Sequence, residues 1–262
     1  MTRSFLVRGM LAGVIAGLLV FAFSRWLGEP QVERAIAFET SMEHASGEAP
    51  EPEMVSRGVQ RGIGLLTAVV VEGVAVGGLF GLAFACIYGR FGIADPRGLS
   101  ALLAGFAFLA TAVVPNLKYP ANPPSVGNPA SIGIRTASFF LLIACSIAAI
   151  IFAIQIARRL AVRYGTWNGY LLGAAFYVVI IGVILHFFPD FDEVPPGFPA
   201  TLIWRFRITA LEIQAVMWLT VGLLFGWLTS RKNQRPLPFI RNLTPDVDQR
   251  QNASQGNERQ AG

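Results

Sequence analysis

Two carboxylates lie inside long apolar runs, where ionisable side chains are costly and mark functional sites by default. Glu72 lies about ten residues into its run, which is roughly 15 Å along a helix. Glu212 lies about one and a half turns into a later run. If ionised, each needs a cation, a basic side chain or water; otherwise it stays protonated and bonds to a neighbouring helix. A cation or proton path through Glu72 and a satisfied structural contact are both open interpretations.

A second set of candidate ligands lies in an acidic segment after the first apolar run. Glu39 and Glu43 are four residues apart, so a helix would stack them, and His44 follows directly. Carboxylate and imidazole ligands suit first-row divalent ions such as cobalt, nickel or zinc. A solvated charged face is the alternative. The residues predicted to contact metal are therefore Glu72, Glu212, Glu39, Glu43 and His44.

The composition places these residues in a membrane protein. The 262 residues are 53% hydrophobic and 14% charged, whereas a soluble domain carries about 25% charged residues. The net charge is +5, but the basic residues lie at the edges of apolar runs, which argues against nucleic-acid binding. The sequence has no HExxH, GxxxxGK[ST] or GxSxG motif, so no enzyme activity and no tightly bound cofactor are predicted.

Six apolar runs are long enough to cross a bilayer as helices, which takes about 20 residues each. They are residues 5–27, 62–88, 99–115, 135–157, 168–188 and 206–229. The third is the shortest and ends in Pro115, so a re-entrant segment and a count of five spans are alternatives. The predicted fold is an all-α, polytopic transmembrane helical bundle over residues 1–230, with an outer loop at 28–61. Residues 231–262 are predicted to be a disordered cytoplasmic tail.

The distribution of Lys and Arg predicts the orientation in the cell membrane. With six spans both termini share one side, which collects 13 basic residues against eight on the other, while ten acidic residues lie on the other side. Both termini are therefore predicted to be cytoplasmic, and the acidic loops face outwards.

The outer loops are distinctive in composition. Within the first, VERAIAFETSMEH fits an amphipathic helix at the membrane interface. The second and third, NLKYPANPPSVGNPASIG and PDFDEVPPGFPATLIW, contain prolines that favour rigid surface loops.

Glycines at four-residue spacing predict close helix packing. The first run carries Gly9, Gly13 and Gly17, and the second carries Gly73, Gly77 and Gly81. Small residues on one helix face let two backbones approach in lipid, so these helices are predicted to form a tight pair. Docking of a separate partner helix is the alternative use of such faces.

Several segments resemble the CbtA family of probable cobalt transporter subunits. The similarity covers residues 8–39, 55–66, 117–129, 132–136 and 197–207, and so most of the chain up to about residue 226. KYPANPP and GFPA with WRFR are the segments most specific to that family. The resemblance implies a polytopic membrane subunit, usually of about five spans, that supplies cobalt for cobalamin synthesis.

The resemblance also implies a partner and an ion. Members of the family act with CbtB, a small single-span protein with a histidine-rich tail, and some carry a histidine-rich insertion in the first outer loop, where this chain has only His44. The expected function is a membrane subunit of a divalent cation uptake system, with cobalt(II) as the transported ion. A non-transporting membrane scaffold that docks a partner helix through its glycine faces is the alternative. No pattern in the sequence indicates an oligomeric state.

Overall fold

The computed structural model describes residues 2–47, 55–90 and 95–233, and these are almost entirely helical with no strand among them. The helices, in chain order, are α1 Thr2–Phe23, α2 Glu29–Ser46, α3 Arg57–Val59, α4 Leu65–Ile87, α5 Pro96–Phe108, α6 Val114–Lys118, α7 Ile132–Tyr164, α8 Thr166–Phe187 and α9 Ala200–Asn233. Three π turns, Ser24–Gly28, Gln60–Gly64 and Leu109–Val113, join α1 to α2, α3 to α4 and α5 to α6. The described chain therefore forms six long helical units, and the tail from residue 234 lies outside it.

All six units are long and apolar enough to cross a membrane, which confirms the predicted number of spans. The third unit is helical from Pro96 to Lys118, so neither the five-span count nor the re-entrant third run is supported. Pro115 cannot donate to the carbonyl one turn before it. The π turn at Leu109–Val113 immediately precedes this position, and the helix continues past the proline.

The described parts of the region 28–61 differ from the predicted connecting loop. Residues 29–46 are helical as expected for VERAIAFETSMEH, but α2 continues α1 through the π turn instead of starting as a separate interfacial helix. Pro30 cannot donate to the carbonyl one turn before it, and it lies two residues after the π turn, as Pro115 does in the third unit. The first helical unit therefore extends well beyond its apolar run.

The predicted tight pair between the first two spans is confirmed, and it lies within the chain. A Cβ atom built on Gly13 would lie 1.9 Å from the carbonyl oxygen of Gly73, and one on Gly77 would lie 2.1 Å from that of Gly9. These distances leave no room for any side chain. Because the two glycine faces fill each other, they are not free to dock a partner helix.

The main core forms where α4 and α9 both pack against α1. Phe5, Phe80, Phe84 and Phe225 form edge-to-face and tilted aromatic contacts there, with Phe84 and Phe225 fully buried. Burial of such rings contributes both apolar area and ring–ring attraction. Helix α9 is therefore held against the glycine-packed pair.

The remaining spans attach to this centre by two contacts. Helix α5 packs on α9, where the Ser100 hydroxyl donates to the Gly222 carbonyl at 2.6 Å. Helices α7 and α8 form a hairpin that turns at Gly165, whose φ of 87° favours glycine. The hairpin meets the third unit in a second apolar cluster that includes Val114 and Leu142.

A structured cap covers one end of the bundle. We define the cap as α2 together with residues 119–131 and 188–199. Phe38 of α2 meets Phe198 edge to face at 4.8 Å between ring centroids, and Val126 is buried beside them. The proline-rich segments are thus packed against α2 and against each other.

Glu193 joins the two proline-rich segments of the cap. Its carboxylate accepts hydrogen bonds from the Asn128 backbone at 2.8 Å, from the Ser131 hydroxyl and from Arg135 Nη1 at 2.7 Å. The Ser131 hydroxyl, the Asn128 amide and the Arg135 charge lower the pKa of Glu193 below its usual value of 4.5, in that order of effect. The carboxylate form is therefore the one that holds the segments together.

This pKa shift predicts that the cap loosens in acid. A carboxyl group with a lowered pKa in the folded protein stabilises it above the unfolded value of 4.5, and that contribution is lost as pH falls through the folded pKa. We expect the hydrogen-exchange protection factors of residues 119–131, corrected for intrinsic exchange, to decrease as the pH is lowered through the folded pKa of Glu193. In Glu193→Gln they should be low and independent of pH over this range. Equal protection in both proteins at neutral pH would contradict the role given to Glu193.

Candidate functional site

Glu72 lies on α4 at the line where α4 meets α9. The side chain of Gln214 on α9 interacts with its carboxyl group. The Glu72 side chain is exposed at the surface of the single chain and forms no ion pair within the described residues. This arrangement matches the expectation of a glutamate bonded to a neighbouring helix, and it leaves one side of the carboxyl group open.

A cavity of about 160 Å³ lies where this line reaches the cap. The polar residues in its wall are Ser24, Glu29 and Thr209, and Leu65 and Ile213 form part of its apolar wall. The π turn explains why Ser24 and Glu29 both face it, because the Glu29 N–H bonds to the Ser24 carbonyl across the wider turn. The cavity therefore combines a carboxylate and two hydroxyls in an otherwise apolar pocket.

Glu29 is the buried charge of the cavity. The residue is 9% exposed, and its Oε2 lies 2.8 Å from Nη2 of Arg57 in α3. A buried carboxylate needs such a partner, because moving an unpaired charge out of water costs several kcal/mol. The pair also ties the start of α3 to the π turn after α1.

Glu72 lies further along α4 than the cavity, within the membrane-spanning part. Leu65 lines the cavity, and Glu72 is two turns further along the same face of α4, about 10 Å deeper. On α9, Gln214 directly follows the cavity residue Ile213. We call this contact line, formed by Leu65, Glu72, Ile213 and Gln214, the α4–α9 seam.

Trp218 extends the seam one further turn along α9. Its ring lies 6.5 Å from that of Phe80, and its buried indole N–H has no hydrogen-bond partner in the described part of the chain. Buried donors are usually paired with protein or water. The inner part of the seam therefore offers one more polar atom.

Glu212 does not join this line. It is exposed, and it is two residues from Gln214, about 200° around the helix, so the two side chains leave α9 on opposite faces. Among the described residues it forms no ion pair. The structure therefore brings Glu72 to Gln214 and keeps Glu212 apart from both.

Glu39, Glu43 and His44 lie on α2 in the cap. Nδ1 of His44 donates to the Thr40 carbonyl at 2.6 Å, so that nitrogen is engaged within its own helix. The described residues contain no group of three or more His, Cys, Asp or Glu side chains arranged to hold a metal ion. These three residues are therefore not gathered into a metal centre, and their contact with a passing ion stays a prediction.

Basic side chains near the outer ends of the spans bind within the cap. Lys118 pairs with Asp190, Arg135 pairs with Glu193, and Arg207 donates to Asn122 at 2.9 Å. These contacts fix the proline-rich segments. They leave the seam without a built-in cation next to Glu72 in the described part of the chain.

Sequence reasoning missed Glu29. A pattern in the sequence was available: Glu29 and Glu33 are four residues apart, as are Arg57 and Arg61, and the structure pairs the first members and the second members. Nothing local shows that one pair is buried and the other exposed. That difference arises from the π turn and the packing of α9.

Comparison with known proteins identifies the family. No curated protein and no solved structure matches the chain. Residues 2–230 match the family model described as probable cobalt transporter subunit, CbtA, which covers every described span. The chain therefore belongs to the CbtA family of probable cobalt transporter subunits, as a multi-pass membrane protein.

Proposed function

We propose that this subunit passes a divalent cation, with cobalt(II) as the leading ion, from the cap end of the bundle along the α4–α9 seam. The observation that carries the proposal is the Glu72–Gln214 contact, two oxygen-bearing side chains inside apolar spans. A carboxylate at that depth is stabilised when a cation reaches it. The cavity beside Glu29 lies on the cap side of this contact.

Charge at the cap supports the direction of transport. The cap carries seven acidic residues, including Glu39 and Glu43, and acidic surfaces raise the local concentration of cations. The basic residues favour the opposite end, which is expected to be cytoplasmic. Cobalt(II) would then enter at the cap and leave at the cytoplasmic ends of α4 and α9.

A partner subunit completes the proposal. Glu72 is open on one side of the single chain, and ionisable groups within a bilayer almost always face protein or water. A small single-span protein of the CbtB type is the expected partner, and a histidine-rich tail would supply imidazole ligands, of which the cavity has none among the described residues. The chain contains no P-loop, so the driving force is assigned to the membrane potential, an ion gradient or another protein.

Cobalt uptake tests the proposed function. Cells expressing this chain together with a CbtB-type partner should accumulate radiolabelled cobalt(II) faster than cells expressing either protein alone. Membrane insertion of each protein is checked by fractionation. Uptake equal to that of empty-vector cells, with both proteins inserted, would overturn the proposal.

Cysteine labelling tests the orientation. After Cys86 and Cys145 are replaced by serine, Met42→Cys on α2 should react with a membrane-impermeant maleimide in intact cells. Val162→Cys, whose parent residue is 91% exposed near the end of α7, should react only after permeabilisation. The reverse pattern would show that the cap faces the cytoplasm.

A further inference from the structure

In the cavity beside the π turn, the Glu29 carboxylate is already paired with the Arg57 guanidinium. Glu29 is almost fully buried, while the side chain of its partner Arg57 is 27% exposed. The guanidinium is also held by a second contact, because Nη1 donates to Gln60 Oε1 at 2.9 Å. The guanidinium of Arg57 can therefore keep its hydrogen bond to Gln60 if it moves away from Glu29.

The size and lining of the cavity fit a hydrated ion. Its volume of about 160 Å³ accommodates several water molecules, each of which occupies about 30 Å³ in the liquid. The Glu29 carboxylate and the hydroxyls of Ser24 and Thr209 are all oxygen donors. Oxygen donors suit hard, hydrated divalent cations.

The same lining limits selectivity. No sulfur or imidazole group lines the cavity in the described chain. One carboxylate and two hydroxyls discriminate little between cobalt(II) and magnesium, because both divalent ions accept oxygen ligands. Selection for cobalt therefore has to occur elsewhere.

We infer that a hydrated divalent cation binds in this cavity through Glu29 and displaces the Arg57 guanidinium from that carboxylate. Arg57 acts as a tethered substitute that keeps the buried charge neutralised until the ion arrives. The inference deepens the proposed function, since the cavity is then the first stop before Glu72. It needs no covalent or redox step, only exchange of one cation for another.

This exchange predicts opposite effects for the two members of the ion pair. Glu29→Gln removes the charge that binds the ion, so affinity for cobalt(II) should fall by about tenfold or more. Arg57→Gln removes a competitor that leaves only a fraction of the sites open, so affinity should rise by about threefold or more. Both should be measured by equilibrium dialysis of radiolabelled cobalt(II) against the full chain in lipid nanodiscs.

Matched controls separate the cavity from general surface charge. Glu33→Gln and Arg61→Gln alter the neighbouring exposed pair, whose side chains are 52% and 43% exposed, and each should leave affinity within about twofold of wild type. Magnesium should compete with cobalt(II) at the cavity with similar strength. Glu29→Gln/Arg57→Gln, which leaves no unpaired charge, should fold even if a single variant does not, and it should bind as weakly as Glu29→Gln.

The outcomes distinguish this site from the transport proposal. If Glu29→Gln and Arg57→Gln both weaken binding, or if the double variant binds like wild type, the pair is only structural and the inference is overturned. Glu72→Gln should retain cobalt binding at the cavity while losing uptake. If the two variants change binding in the predicted opposite directions but no cobalt uptake is observed, the result would support cation binding in the cavity and contradict the transport proposal.

Discussion

A leucine at position 13 is expected to abolish assembly of the bundle. The Gly13 Cβ position is 1.9 Å from the Gly73 carbonyl oxygen, so even one methyl group forces the backbones of α1 and α4 apart. Overpacking in a core costs about 1–3 kcal/mol when side chains can shift, and here the obstacle is backbone. Close backbone contact is also the main force between helices in lipid. We therefore expect Gly13→Leu to aggregate on size-exclusion chromatography in mild detergent, with the monodisperse peak lost.

Gly105→Leu is the matched control for this prediction. Gly105 lies in α5 with no atom within 4 Å of its Cβ position, so the same change at this site should preserve the monodisperse peak. Gly13→Ala should have an intermediate effect, with a lowered melting temperature. A Gly13→Leu protein that elutes and melts like wild type would show that α1 and α4 do not meet through their glycines.

Glu72→Gln is expected to reduce cobalt uptake by at least about tenfold, the factor that corresponds to 1.4 kcal/mol. The substitution keeps the shape of the side chain and its reach to Gln214, but it removes the charge that would receive the ion. Loss of one partner of a desolvated charge contact costs about 2–5 kcal/mol. The measurement is the initial rate of radiolabelled cobalt(II) uptake at equal membrane levels of the protein. Glu72→Asp should retain part of the rate because it keeps the charge.

Glu212→Gln is the control for Glu72. Its parent side chain leaves α9 on the face opposite Gln214, so uptake should stay within about twofold of wild type. Equal rates in wild type and Glu72→Gln would remove Glu72 from the path. A loss confined to Glu212→Gln would move the path to the other face of α9.

The spans and the central helix pair could be predicted because their causes are local. A run of apolar residues must be helical in hydrocarbon, and glycines four residues apart share a helix face. Those two rules predicted six spans and the pairing of Gly9, Gly13 and Gly17 with the second span. The prolines predicted rigid surface loops, and in the structure these segments pack against α2 through contacts such as that of Phe38 with Phe198.

The site could be predicted only in part because it depends on contacts between distant residues. Glu72 was found from its depth alone, whereas its contact with Gln214 depends on how α4 and α9 both pack on α1. Glu212 also lies within an apolar run, but its side chain is exposed on the face of α9 opposite Gln214. Glu29 was missed because the end of an apolar run reads as a loop boundary, while the π turn carries the helix past it.

Cysteine accessibility beside Glu72 tests the central claim, a cation path along the α4–α9 seam, most directly. In a background without Cys86 and Cys145, Ala68→Cys lies one turn from Glu72 on the same face of α4. Thr67→Cys is the control at similar depth, because its parent residue is also exposed but lies about 140° around α4 from Glu72.

With the partner subunit present, a charged, water-soluble thiol reagent should modify Ala68→Cys, cobalt(II) should slow that modification, and Thr67→Cys should not react. An unreactive Ala68→Cys, or modification at both positions without any effect of cobalt(II), would contradict a cation path beside Glu72.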